Sequence, residues 1–235
     1  MANATHLTTP ELFEAGQLEI EGDAYRHLFR ARRLAAGDAL RIVDGRGRAR
    51  SGQIETVDRS RAIVKLGSSI PNLEPPLDVH VLVGALRPER ASWLVEKATE
   101  MGASSITFFS SERTPRAYGQ AKLERLRRVA RSALEQCGRA KLPEIAGVIE
   151  LGEALDATLE KGQMPIYALM PGGQPLGASV DEAGTLGLVI GPEGGFGPAD
   201  EQLLTTREIR GCRLGEAILR VETATVAALT LVLCR

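Results

Sequence analysis

Cysteine, histidine and long apolar runs are all scarce in this chain. The three cysteines, Cys137, Cys212 and Cys234, are unclustered and match no metal-ligand spacing, so they read as reduced, mostly structural thiols. His6, His27 and His80 are equally scattered, and no metal is expected. No apolar run approaches the roughly 20 residues that cross a bilayer. The first residues, Met1 to His6, lack a basic stretch followed by an apolar core, which argues against a secretory signal and for a cytoplasmic protein with no membrane contact. Two nucleotide signatures are also missing. No Gly-Lys-Ser/Thr follows the glycine-rich stretch at 191–197, which excludes a phosphate-cradling P-loop, and the glycine spacing there misses the dinucleotide fingerprint.

What is present describes a folded protein. Its 235 residues exceed a typical domain of about 100–150, so two domains or one large one are expected. Hydrophobic content of 43% and charged content of 25% are near the averages for soluble globular proteins. The net charge of −1 would not suggest a nucleic-acid partner, but its distribution does. From Arg113 to Lys141 nine basic residues stand against two acidic ones, a local charge of +7. Such a patch suits a phosphate backbone.

Residues 1–73 carry short alternating runs at 18–20, 39–43, 51–57 and 61–66, separated by turn signals such as Ala36-Gly37-Asp38 and Asp44-Gly45-Arg46-Gly47. That spacing predicts a small antiparallel barrel or sheet. Ile70-Pro71-Asn72-Leu73-Glu74-Pro75-Pro76 is the clearest linker, because three prolines in six residues enter neither a helix nor a central strand. Residues 74–235 then alternate strand and helix: strands at 77–84, 106–109 and 164–170, the last ending at Pro171, and helices at 88–102 and 120–137. This is the pattern of an α/β sheet.

Two stretches near the carboxyl terminus organise the rest. Leu186-Gly187-Leu188-Val189-Ile190 is an apolar run of strand length that stops at Gly191-Pro192-Glu193-Gly194-Gly195-Phe196-Gly197, whose glycines leave main chain open to a ligand. Leu214-Gly215 begins a second break, followed by Ile218-Leu219-Arg220 and Glu222-Thr223-Ala224 at the head of an apolar helix. Gly-Pro-Glu-Gly-Gly joined to Leu-Arg-x-Glu-Thr-Ala closely resembles the signature of the SPOUT methyltransferases, of the RsmE type that methylates uridine N3 in 16S ribosomal RNA. Lys97 to Gly102, Glu135-Gln136 with Arg139, and His27 with Arg30, Arg33 and Gly37-Asp38 resemble further elements of that family.

The resemblance implies a PUA-like RNA-binding barrel at 1–73, then a parallel-sheet SPOUT domain at 74–235 with a trefoil knot, a fold not read from periodicity. It implies S-adenosylmethionine bound by Leu169, Met170, Pro171, Ile190, Gly191, Pro192, Gly194, Gly195, Leu214, Gly215, Ile218, Leu219 and Thr223. Arg220 would bind the target phosphate or stabilise the uracil anion; Glu222 or Glu193 would take the N3 proton or hold Arg220 in place. Arg30, Arg33, Arg125, Arg128 and Arg131 would hold 16S ribosomal RNA or the small subunit, while Gln136 and Arg139 either bind RNA or cap their helix. A homodimer through the carboxyl-terminal domain, with Val226, Leu229 and Leu233 of the last helix partly at the interface, is also implied. Two departures stand out: no arginine lies in the first few residues, where His6 is the nearest substitute, and Arg87 is near where the family carries a lysine, by Ala85 or Leu86. The rival readings are an RNA-binding or ribosome-assembly factor that kept the knot and lost turnover, and a methyltransferase with another RNA target.

Overall fold

The computed structural model describes residues 4–111, 117–179 and 184–234. The chain divides into two compact units, Met1–Glu74 with Arg131–Leu142, and Pro75–Ala130 with Pro143–Arg235. The second piece of the first unit lies well beyond the linker at 70–76.

In the first unit β1 (Thr5–Leu7), β2 (Gln17–Glu21), β3 (Ala39–Val43), β4 (Ala49–Val57) and β5 (Arg61–Ile70) form one sheet in the order β1-β3-β4-β5-β2. The β2, β3, β4 and β5 pairings are antiparallel and β1 joins β3 in parallel. Since β1 and β2 are the two edges, the sheet is an open half-barrel rather than a closed one. Period-two alternation puts Leu18, Ile20, Leu40, Ile42, Ile54 and Val64 in its core. Phe13 from the short α1 (Pro10–Phe13), Tyr25 from α2 (Gly22–Tyr25) and Leu28 from the π-helical turn Arg26–Ala31 complete that core. The β3–β4 turn is held by Asp44, whose Oδ1 accepts from the amides of Arg46 and Arg48 at 2.8 and 3.0 Å. Leu134 and Ala140 pack with Leu7, Val43 and Ala49, and Glu135 Oε1 accepts from the Leu7 amide at 3.0 Å.

In the second unit β6 (Asp78–Gly84), β7 (Ser105–Ser110), β8 (Glu144–Glu150), β9 (Ile166–Pro175), β10 (Thr185–Ile190) and β11 (Arg210–Arg213) make a sheet in the order β11-β9-β10-β6-β7-β8, parallel throughout. Val79, Val81, Leu82 and Val83 of β6 are all buried, as a strand covered on both faces requires. The helices are α3 (Pro88–Met101), α4 (Gln120–Cys137), whose residues 131–137 belong to the first unit, α5 (Leu151–Leu159), α6 (Leu176–Ser179), α7 (Pro198–Thr206) and α8 (Val221–Leu233). α3 begins on Pro88 and ends on Gly102, which takes a φ of +115°. α8 packs on α3 and touches β6 and β10.

Sheet order reverses between β6 and β10. From β6 the chain steps outward to β7 and β8, whereas β10, β9 and β11 lie on the other side. In such sheets the crevice at the carboxyl ends of the strands flanking the reversal is where ligands bind.

The strand expected to end at Pro171 continues to Pro175. Its pairing with β11 jumps from Ala168 opposite Gly211 to Gln174 opposite Cys212, so β9 carries a large bulge between them. Gly173 makes the re-joining possible, because a Cβ there would lie 2.6 Å from the Gly211 carbonyl. Periodicity missed β8 and α5, which are short or follow no clear alternation, and the break read at Leu214-Gly215 follows β11.

Candidate functional site

The bulge in β9 decides where the site lies. Leu169, Met170 and Pro171 fall in the stretch that β11 does not pair, so their main chain on that side is not consumed by the sheet. Next to them, β10 ends at Ile190 and passes into 191–197, where Gly195 takes a φ of +71°. Beyond β11 the chain runs through 214–219 before Arg220 caps α8. These three segments enclose a cavity of about 670 Å³ lined by residues 169–171, 190–196 and 213–221, with Arg90, Glu201 and Ala224. That volume falls within the range of pockets for drug-sized ligands.

The wall is largely apolar. Leu169, Ile190, Phe196, Leu214 and Leu219 face it, and the loop is pressed close to the sheet: a Cβ on Gly84, the last residue of β6, would lie 2.6 Å from the Pro192 main chain. The glycine-rich loop brings main chain to the edge of the cavity, with the Gly195 amide donating to the Pro192 carbonyl at 2.8 Å, and the apolar wall suits a ligand with an apolar face.

Three arginines line the cavity, and they differ in occupation. Arg90 Nη1 donates to Glu193 Oε1 at 2.8 Å and its Nε lies 3.9 Å from Glu222 Oε1. Arg213 is paired with Glu216. Arg220 is exposed and has no ion-pair partner among the described residues. It is also the cap residue of a 13-residue helix, where the positive end of the helix dipole adds to its charge.

Of the residues expected to hold a cofactor, all but Thr223 line this cavity. Thr223 is exposed and faces away, because the first turn of α8 points Val221 and Ala224 inward instead. Of the three expected catalytic residues, Arg220 and Glu193 line it and Glu222 stands behind the wall. Neither carboxylate holds Arg220; both engage Arg90, which the sequence reading did not single out. Its signal was position: Arg90 is in the first turn of the helix that follows β6, at the carboxyl end of a switch-point strand.

Arg125, Arg128 and Arg131 are exposed at three-residue spacing along α4, and Gln136 is exposed near its end. Arg113 and Arg116 lie outside the described residues. Arg139, expected either to bind RNA or to cap its helix, is 4% exposed, and its Nε and Nη2 donate to Glu74 Oε2 at 3.0 and 2.6 Å, which disfavours the RNA contact. Arg30 is turned to the Arg59 carbonyl at 2.9 Å and over the Tyr25 ring, while Arg33 is exposed with a φ of +59°. Leu229 is fully buried within its own unit, so it is unavailable to a partner; Val226 and Leu233 are half-buried. Among the described residues no three His, Cys, Asp or Glu side chains cluster as a metal site, and no helix is long and apolar enough to cross a membrane.

Comparison with known proteins agrees with this geometry. Residues 73–233 match the family model of an RNA methyltransferase domain, and residues 20–67 that of an RNA methyltransferase PUA domain. The ribosomal RNA small subunit methyltransferase E of Mycobacterium bovis is 33% identical over 221 residues, which span 89% of this chain and 83% of that one. The Bacillus subtilis protein of the same name is 25% identical over 242 residues, 95% and 92% of the two chains. A solved ribosomal RNA small subunit methyltransferase E from Neisseria gonorrhoeae, bound to S-adenosyl methionine, shares the fold with a TM-score of 0.87 at 24% identity, over 97% of this chain and 95% of that one.

Proposed function

Because this chain belongs to the RNA methyltransferase family, we propose that it uses S-adenosylmethionine to methylate N3 of one uridine in 16S ribosomal RNA of the small subunit. The observation that carries the reading is the cavity itself, where the bulged main chain of β9 and the glycine-rich loop meet an unpaired arginine. The cavity fits the donor in size and in the mixture of open main chain and apolar wall. When bound, S-adenosylmethionine supplies an electrophilic sulfonium methyl.

The chain's own residues supply orientation and charge. Uracil N3 becomes nucleophilic on losing its proton, and the resulting anion spreads onto the two carbonyl oxygens. Arg220, unpaired at the cavity mouth, stabilises that charge or the adjoining phosphate. Glu193, which lines the cavity, or Glu222, beside it at the start of α8, is the carboxylate proposed to receive the proton, and both contact Arg90. A uracil reaches such a cavity only when splayed from its neighbours. The exposed arginines of α4 and the PUA-like sheet are the surfaces proposed to hold the RNA around it.

The same reading makes the second unit a knotted domain. Its support is the path of the chain: after β11, at the edge of the sheet, residues 214–220 lead back to α8, which packs on α3, β6 and β10. It also makes the protein a cytoplasmic homodimer. Trp93 on α3 and Leu231 on α8 are 44% and 41% exposed, an apolar pair on two packed helices that a second copy would cover. Light scattering at micromolar concentration should give twice the chain mass.

The test of function is transfer of labelled methyl from S-adenosylmethionine to small subunits prepared from a strain lacking the protein, followed by nucleoside analysis and mapping. The expected product is 3-methyluridine at a single position. Donor binding without transfer would identify an assembly factor, and label on another base would identify another target.

A further inference from the structure

We infer that Arg90 is a positioning residue for the donor cavity, holding the glycine-rich loop and the first turn of α8 at a fixed spacing. The inference rests on the reading of this cavity as the S-adenosylmethionine site. Glu193 comes from the loop after β10, Glu222 is the second residue of α8, and Arg90 is in the first turn of α3. One guanidinium therefore meets a carboxylate from each of two cavity-forming segments, at 2.8 Å through Nη1 and 3.9 Å through Nε. Arginine suits this task because its donors project in different directions from one rigid plane, whereas a lysine ammonium is a single point of charge.

Burial gives the arrangement consequence. The Glu222 side chain is 15% exposed, and its Oε2 is buried with no hydrogen-bond partner among the described residues. A carboxylate so placed depends on the cation beside it. Without Arg90, two like charges would face each other across the wall, and the loop or the helix start would move apart. α3 itself does not depend on Arg90, since Ala91, Leu94, Val95 and Ala98 anchor the helix in the core.

The sign of the effect separates positioning from simple electrostatics. S-adenosylmethionine carries a net positive charge that the demethylated product, S-adenosylhomocysteine, lacks. Removing a nearby cation would by charge alone tighten the donor and leave the product almost unchanged. Loss of a positioning contact instead weakens both by a similar factor.

Calorimetric titration of both compounds into wild type, Arg90→Ala and Arg90→Lys tests this, with melting of the free proteins as the control for folding. Arg90→Ala should bind both compounds at least about 10-fold more weakly, and Arg90→Lys, which keeps the charge and can reach one carboxylate, should recover part of the loss. Donor binding at the wild-type level, or tightened donor with unchanged product, overturns the inference. If Arg90→Ala does not fold, the lysine variant decides: a parallel loss of a few-fold for both compounds supports the inference, and no loss overturns it. A wild-type protein that binds neither compound overturns the donor-site reading and this inference with it, which distinguishes the two failures.

Discussion

Glu74 and Arg139 form a buried ion pair in which one carboxylate serves four donors. Oε2 takes Arg139 Nε and Nη2 at 3.0 and 2.6 Å, and Oε1 takes the amides of Ala140 and Lys141 at 2.6 and 2.9 Å. The side chains are 12% and 5% exposed. Breaking a buried pair strands the remaining charge, so Arg139→Ala should cost about 3–5 kcal/mol in urea unfolding. Arg139→Lys should also destabilise, because lysine cannot reproduce the fork. The salt slope of RNA binding by the folded variants should match wild type, since this guanidinium is not on the surface.

Acid should weaken the first unit in a predictable direction. Burial pushes the Asp44 carboxyl up, but the Arg48 guanidinium and the amides of Arg46 and Arg48 outweigh it and hold it below the usual carboxylate range. Burial likewise raises Glu135, and the His6 imidazole 3.5 Å away together with the hydrogen bond from the Leu7 amide brings it down past its ordinary value. A carboxylate depressed in the folded state stabilises above its unfolded pKa of about 4 and loses that contribution as pH falls through the folded value. The urea midpoint should therefore be flat near neutrality and fall below about pH 4. Asp44→Asn should flatten part of that fall and lower stability at pH 7 by about 1–3 kcal/mol.

At Gly84 the close approach of Pro192 leaves no room for a methyl group. Gly84→Ala should displace the 191–197 loop and weaken S-adenosylmethionine binding by about 10-fold or more, as measured by calorimetry. Normal affinity in a folded variant would show that the loop's seat on β6 does not shape the cavity.

Much of this was legible in the sequence. The β6 strand, α3 with its Pro88 start and Gly102 end, and the basic helix α4 follow directly from apolar spacing and end signals. The glycine-rich loop and the segment before α8, which line the cavity, stood out in the sequence because glycine and exposed polar residues interrupt apolar runs there. Three things were not. The β9 bulge depends on long-range pairing with β11, which leaves no local periodicity, and Pro171 and the following glycines look like a strand end. The role of Arg139 stayed open between an RNA contact and a helix cap because its partner, Glu74, is 65 residues away in a linker-like stretch. Arg90 is one of several charges at the start of an ordinary helix, and only the fold brings it to Glu193, 103 residues on.

Charge removal on α4 should act on RNA and leave the donor alone. If Arg125, Arg128 and Arg131 each contact a phosphate, replacing all three by Gln should weaken RNA binding and lower the slope of log affinity against log salt by about 2–3. S-adenosylmethionine affinity should be unchanged. Wild-type RNA affinity at every salt concentration would remove this helix from the RNA surface.

Arg220 is the cation at the cavity mouth without an ion-pair partner among the described residues, and the account turns on that side chain meeting the reacting base or its phosphate. The most direct measurement is single-turnover methyl transfer to unmodified small subunits at saturating S-adenosylmethionine, comparing wild type with Arg220→Ala. Wild type should place one methyl on uridine N3, and the variant should bind the donor normally yet transfer at least about 10²-fold more slowly, the scale expected for losing one preorganised charge-stabilising donor. Transfer by Arg220→Ala at the wild-type rate, or no transfer by wild type, would contradict the account.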